Sequence, residues 1–430
     1  LRLLPFEGLG LAVVPLVQHL FGVLMAVVLY TLLLRLGVRT WLAALATAPV
    51  LLDSFQLNLE QYVLSDTFFQ LLLVTGCALL LWRRPLGLAP AALAGLVFAA
   101  AALTRTVGLA AIVPVVLTVL FLRAGPSRAL ALLASFALPL VAYAAWFHSF
   151  FGVYALNGYS GHVLYGRVAP FADCTQFSVP ARERVLCPTQ PVGERPSENE
   201  FVWRKRISPI YRLRPPAEMT RDRPVWLARS QIAGDFARRV IANQPLAYSR
   251  AVGSDFLHGF APARTSEPGD APASNWEFHL TYPVFEPKLN EAFDARVDRE
   301  LASFLRAYQR YAYAPGPLLG AALVVGLLAA VGLGRARYSG LRSAAFLFSS
   351  LALILTLAPA AALAFSWRYQ LPQLVLLPPA LALGLTALTT RTEDDRGRVT
   401  ASTRRRDPRA APTMSGSDLA GRATTRSGRR

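Results

Sequence analysis

The sequence predicts a polytopic α-helical membrane protein with one loop-rich, partly helical domain outside the bilayer. Three observations predict it. Of 430 residues, 54% are hydrophobic and only 16% are charged, against about 25% charged in an average soluble protein. Apolar runs close to the ~20 residues that cross a bilayer recur along the chain. The arginines gather in every second gap between those runs, as expected when positive charge is retained on the cytoplasmic side.

Nine spans are predicted, at about 10–34, 40–57, 66–82, 89–104, 108–123, 129–148, 315–334, 342–365 and 371–389. Residues 10–148 thus form a six-span membrane region and 315–390 a three-span one. Arg35 and Arg39, Arg83 and Arg84, Arg123 and Arg128, and Arg335, Arg337 and Arg342 fill alternate loops. Those loops are expected in the cytoplasm. The tail, 391–430, falls on the same side with 11 arginines and 5 acids. Its low apolar content predicts a disordered segment near anionic headgroups. The formal charge of +18 is therefore assigned to the bilayer as partner, and no nucleic acid is expected.

This orientation places residues 1–9, the stretch LLDSFQLNLEQYVLSD (51–66), Arg105 and residues 149–314 on the extracytoplasmic side of the cell membrane. Residues 1–9 lack a charged start followed by a cleavage site, so the chain is expected to begin inside a longer protein. The segment 149–314 holds 21 Lys/Arg and 17 Asp/Glu. Within it, 223–245, 244–260 and 287–313 are read as amphipathic helices, the first two separated at Pro245. Weak periodicity between Gly158 and Pro224 predicts irregular chain. Cys174 and Cys187 are expected to form a disulfide in an oxidising compartment. Cys77 is read as a packing residue inside a span.

The candidate site lies at the outer mouth. Glu60 and Asp66 sit between the second and third spans, where water lowers the ~2.5–3.5 kcal/mol cost of a charge at the bilayer centre. Asp53 is seven residues before Glu60, a spacing that puts both on one helical face. Carboxylates there can hold a divalent ion, orient hydroxyls or accept a proton. Each residue also has a plainer reading. Asp66 suits a helix N-terminus, and Asp53 suits a span end reaching for water. Arg105 occupies a very short loop, where it either grips a phosphate bidentately or snorkels. Arg368 lies at the same depth in SWRYQLPQ, whose Trp367 and Tyr369 fit an aromatic belt. His148, His162, His258 and His279 show no metal-ligand spacing, and His19, inside the first span, is expected to pair with a neighbouring helix.

The segments LLDSFQLNLEQYVLSDTFFQLLL and LAGLVFAAAALTRTVGLAAIVPVVL, with the later RYQLPQLVLLPPAL, resemble the bacterial relatives of dolichyl-phosphate-mannose–protein mannosyltransferases. The resemblance covers about 10–125 and 340–390. It implies a GT-C fold and a glycosyltransferase that takes a sugar from a polyprenyl-phosphate donor and hands it to a glycan or protein hydroxyl. It also implies donor or acceptor contacts at Glu60, Asp66, Arg105, Arg368 and Tyr369, with Asp53 alongside. Mg or Mn is an open cofactor. The family's general base is an Asp in the first outer loop. Only Glu7 is acidic in residues 1–9, in a different context, so either the catalytic Asp is expected upstream of Leu1 or the protein is an inactive homologue. Two other classes stay open: a transporter or flippase of a lipid-linked glycan, and a non-catalytic membrane assembly protein.

Overall fold

A computed structural model describes residues 13–221, 223–264, 273–281 and 297–389. Glu7, Lys288, the tail 391–430 and part of the helix expected at 287–313 lie outside the described residues. Among those described, the regular structure is helical. In chain order the helices are α1 (Val13–Arg35), α2 (Thr40–Leu52), α3 (Ser54–Leu59), α4 (Asp66–Leu81), α5 (Leu88–Thr104), α6 (Ile112–Phe121) and α7 (Pro126–Phe151). Then come α8 (Ser160–Val168), α9 (Glu198–Trp203), α10 (Ala217–Thr220), α11 (Val225–Asn243), α12 (Pro245–His258) and α13 (Arg299–Gln309). The last three are α14 (Gly316–Val331), α15 (Arg342–Ala362) and α16 (Pro372–Thr389).

Five helical stretches are long and apolar enough to cross a membrane: Val13–Arg35, Thr40–Leu59, Pro126–Phe151, Arg342–Ala362 and Trp367–Thr389. The other four expected spans are apolar helices of lesser length, Asp66–Leu81, Leu88–Thr104, Thr106–Phe121 and Gly316–Val331. At 1.5 Å per residue, the 16 residues of α4 reach about 24 Å, short of a ~30 Å hydrocarbon layer. The outward faces of the longer helices are apolar. Leu16, Leu20, Val23 and Val27 are exposed along α1, and Leu130, Leu138 and Val141 along α7. A row of that kind suits lipid, not water.

Inside, Met25, Leu29, Phe69, Phe98, Leu347 and Phe348 belong to one buried core, and Cys77 packs there as expected. Small residues bring helices close. A Cβ on Gly95 would stand 2.3 Å from the Leu132 carbonyl oxygen of α7. At one end of the bundle the arginine loops meet one another. Arg35 bonds the Trp82 carbonyl, and Arg84 donates to the Gly340 carbonyl at 2.7 Å and to Ser343 at 2.8 Å.

The segment between α7 and α14 has its own core of Tyr165, Phe201, Ile232, Phe236 and Val240. Helix α11 stops at Asn243, Gln244 leaves helical geometry, and Pro245 opens α12. Proline suits that first position because its missing N–H would be unpaired there anyway. Cys174 and Cys187 are bonded, with Cα atoms 6.1 Å apart. The segment docks on helix ends: Tyr248 donates to the Ala361 carbonyl at 3.0 Å, Tyr308 to that of Leu52 at 2.7 Å, and Gln370 to that of Gly259 at 2.6 Å.

Candidate functional site

The centre of the site is Asp66. It is the first residue of α4, yet its oxygens do not cap the helix. Arg368 donates Nε to both carboxylate oxygens at 3.0 Å and Nη2 to Oδ2 at 2.5 Å. Arg105 pairs with the opposite oxygen, Oδ1. Three elements build this contact: the start of α4, the residue ending α5, and the 3-10 turn Trp367–Gln370 that leads into α16. Asp66 is 2% exposed. Two guanidinium groups on one carboxylate leave the cluster with net charge +1. Rings flank it, with the Arg105 guanidinium carbon 5.7 Å from the Tyr369 ring centroid and 5.9 Å from Phe69. Arg368 lies 5.8 Å from Trp276. An apolar cleft opens beside Tyr369, lined by Phe260, Pro359, Phe365 and Gln373 among others.

Several plainer readings change here. Arg105 does not stand alone, because Asp66 holds it. Trp367 is no belt residue: it is 2% exposed and packs edge-on against Phe365 at 4.8 Å. Asp53 does not reach for water. The expected helix 40–57 breaks at Asp53, whose backbone is extended, and Asp53 becomes the N-cap of α3. Its Oδ1 accepts from the Phe55 and Gln56 N–H groups at 2.9 and 3.3 Å, and its Oδ2 from Ala314 N–H at 2.8 Å. The break overturns the shared helical face of Asp53 and Glu60, which now stand at opposite ends of a six-residue helix.

Glu60 faces α1 instead. Its Oε2 lies 2.5 Å from His19 Nδ1, the inter-helix pair expected of that histidine, and its Oε1 accepts from Gln56 Nε2 at 2.8 Å. Gln70 Nε2 donates onward to Gln56 Oε1 at 3.0 Å. Gln18 Nε2 clamps the same turn, donating to the Glu60 and Tyr62 carbonyls at 3.2 and 2.5 Å. A Cβ on Gly22 would stand 2.8 Å from Glu60 Oε1, so the α1 backbone comes this close to the acid because residue 22 lacks a side chain.

Two buried arginines were not singled out from the sequence. Arg264 stacks 3.8 Å from the Phe55 ring centroid and reaches Asp53 Oδ2 at 3.5 Å. Its Nε and Nη1 lack a hydrogen-bond partner among the described residues. Burial pulls its guanidinium below the ordinary range, against the pull of Asp53. Arg167, 1% exposed, donates to Asp255 at 2.6 Å and to the Leu363 carbonyl at 3.2 Å. Burial pushes the Asp255 carboxyl up, while Arg167 works to lower it. Neither arginine had a sequence signal, because each is one among many in an Arg-rich domain. The glutamines 18, 56 and 70 did have one: amides inside apolar helices need partners.

The described residues do not fit a divalent ion well. No group of three His, Cys, Asp or Glu side chains among them is placed to hold one, and the three mouth acids are each engaged by Arg, His, amide or backbone groups. His148 stacks on Tyr154 at 4.1 Å and His258 on Phe365 at 4.5 Å. Comparison with family models, curated proteins and solved structures finds no match.

Proposed function

We propose that the chain is a membrane glycosyltransferase that draws a sugar from a polyprenyl-phosphate donor and passes it to an acceptor hydroxyl at the extracytoplasmic face. The observation that carries this reading is the arginine pair on Asp66. A phosphodiester bears one negative charge, and the leaving polyprenyl phosphate gains a second. A cluster of net charge +1 complements that change, and Arg presents a planar fork to phosphate oxygens. Tyr369 gives a flat neighbour for a sugar ring beside Arg105.

In the reaction so read, the acceptor oxygen bonds the anomeric carbon as the carbon–phosphate-oxygen bond breaks. The electron pair leaves with the phosphate, where Arg105 and Arg368 stabilise it. Asp66 serves to hold the two cations side by side.

The test uses membranes carrying the full chain and radiolabelled hexosyl or pentosyl polyprenyl monophosphate. Arg368→Gln and Arg105→Gln are each expected to lower transfer by about 10- to 100-fold, the worth of a hydrogen bond to a charged group. Transfer that persists within about threefold in both variants would refute the reading.

A further inference from the structure

We propose that His19, oriented by Glu60, is the proton acceptor for the attacking hydroxyl. The proposal rests on the glycosyltransferase reading and supplies the base that the mouth acids do not.

The hydrogen bonds assign the tautomer. An ionised carboxylate only accepts, so His19 Nδ1, 2.5 Å from Glu60 Oε2, carries the ring proton. Nε2 is then left with its lone pair. What faces Nε2 is the Gln61 amide nitrogen at 2.6 Å, a donor, which agrees with that assignment. The burial is graded in the sense a base requires. The Glu60 side chain is 2% exposed and the His19 side chain 37%, so the anchoring acid is locked and the imidazole is reachable. Gln61 is exposed, so an incoming hydroxyl can take its place at Nε2. A buried carboxylate behind an imidazole fixes ring and tautomer, and stabilises the imidazolium once the proton arrives.

A chain of amides runs from the dyad to α4, the helix that carries Asp66. Glu60 binds Gln56, Gln56 binds Gln70, and Gln70 follows Asp66 by one helical turn on the same face of α4. The amide oxygens of Gln18 and Gln70 are buried there without a donor among the described residues, which leaves two acceptors for hydroxyls of a polyhydroxylated substrate. The charged group facing His19 is Glu60 at the C-terminal end of α3; Asp66, Arg105 and Arg368 lie a turn beyond Gln70. The step balances. The hydroxyl proton passes to His19 Nε2, the new oxygen–carbon bond forms, and the carbon–phosphate-oxygen pair departs to the arginines.

The test follows transfer from the same labelled donors from about pH 5 to about pH 8, the range in which imidazole titrates. Binding of polyprenyl monophosphate by a photoaffinity analogue is read in parallel. Wild type is expected to gain activity as one group loses its proton. His19→Gln is expected to lower kcat by about 100-fold or more, with phosphate binding unchanged. Glu60→Gln, which keeps an acceptor for Nδ1–H but removes the charge, is expected to shift the rising limb to lower pH. Wild-type transfer with His19→Gln within about threefold, or with an unmoved limb in Glu60→Gln, overturns the role of His19 alone. Wild-type membranes that transfer no sugar overturn the glycosyltransferase reading and this role with it.

Discussion

Replacing Asp66 by Asn removes one negative charge from between two arginines and leaves the shape almost intact. Two unit charges 3.0 Å apart attract by roughly 5 kcal/mol at an effective dielectric of about 20. Asp66 engages two such charges, and without it the guanidinium groups repel each other. Part of the gross loss returns, because an amide is cheaper to bury than a carboxylate and because Arg368, 24% exposed, and Arg105, 15% exposed, can turn toward water. Removing one partner of a buried pair costs about 3–5 kcal/mol, and the partial exposure places this case near 3. The assay is equilibrium unfolding in mixed detergent micelles, followed by circular dichroism. Asp66→Asn with Arg105→Gln removes one charge of each sign and is expected to recover about 1–2 kcal/mol relative to additivity. A loss below about 1 kcal/mol for Asp66→Asn, or additive behaviour of the two changes, would refute the view that one carboxylate holds both cations.

Two further predictions concern the segment between α7 and α14. Gly161→Ala is expected to destabilise it by at least about 2 kcal/mol, although Ala is the better helix former by ~1 kcal/mol. Its Cβ would stand 1.7 Å from the Ser230 carbonyl oxygen and 2.9 Å from Gly234 N, backbone atoms that move only if α8 and α11 part; unchanged resistance to limited proteolysis contradicts this. His162 is buried and its pKa falls to about 4, through burial first and the nearby Arg229 charge second. A histidine kept neutral by the fold contributes stability that is full above its unfolded value near 6.5 and is lost as pH falls toward about 4. Thermal unfolding between those values is expected to show that loss in wild type and not in His162→Asn; parallel curves would argue against it.

The helical, membrane-suited character of the described residues was legible in the sequence. Apolar runs and alternating arginines are local patterns, and burial against lipid or a neighbouring helix asks for the same side chains. The helix pair around Pro245 was equally readable, since proline has no N–H to donate and is tolerated at a first turn. The acids at 53, 60 and 66 were visible as costly charges beside apolar runs, and that cost marked them for attention. Their partners were not visible. Asp66 and Arg368 are 302 residues apart, Asp53 and Ala314 are 261 apart, and no periodicity links such positions. Heptad spacing joined Asp53 to Glu60 on paper. The chain broke the helix there, because Asp53 satisfies three backbone N–H groups at once, a gain that exists only after α3 and the start of α14 have met. Sequence by itself determined which side chains are expensive to bury. Tertiary structure alone decided which opposite charge, amide or backbone N–H each of them faces, and so left the Asp66 cluster with one unit of positive charge.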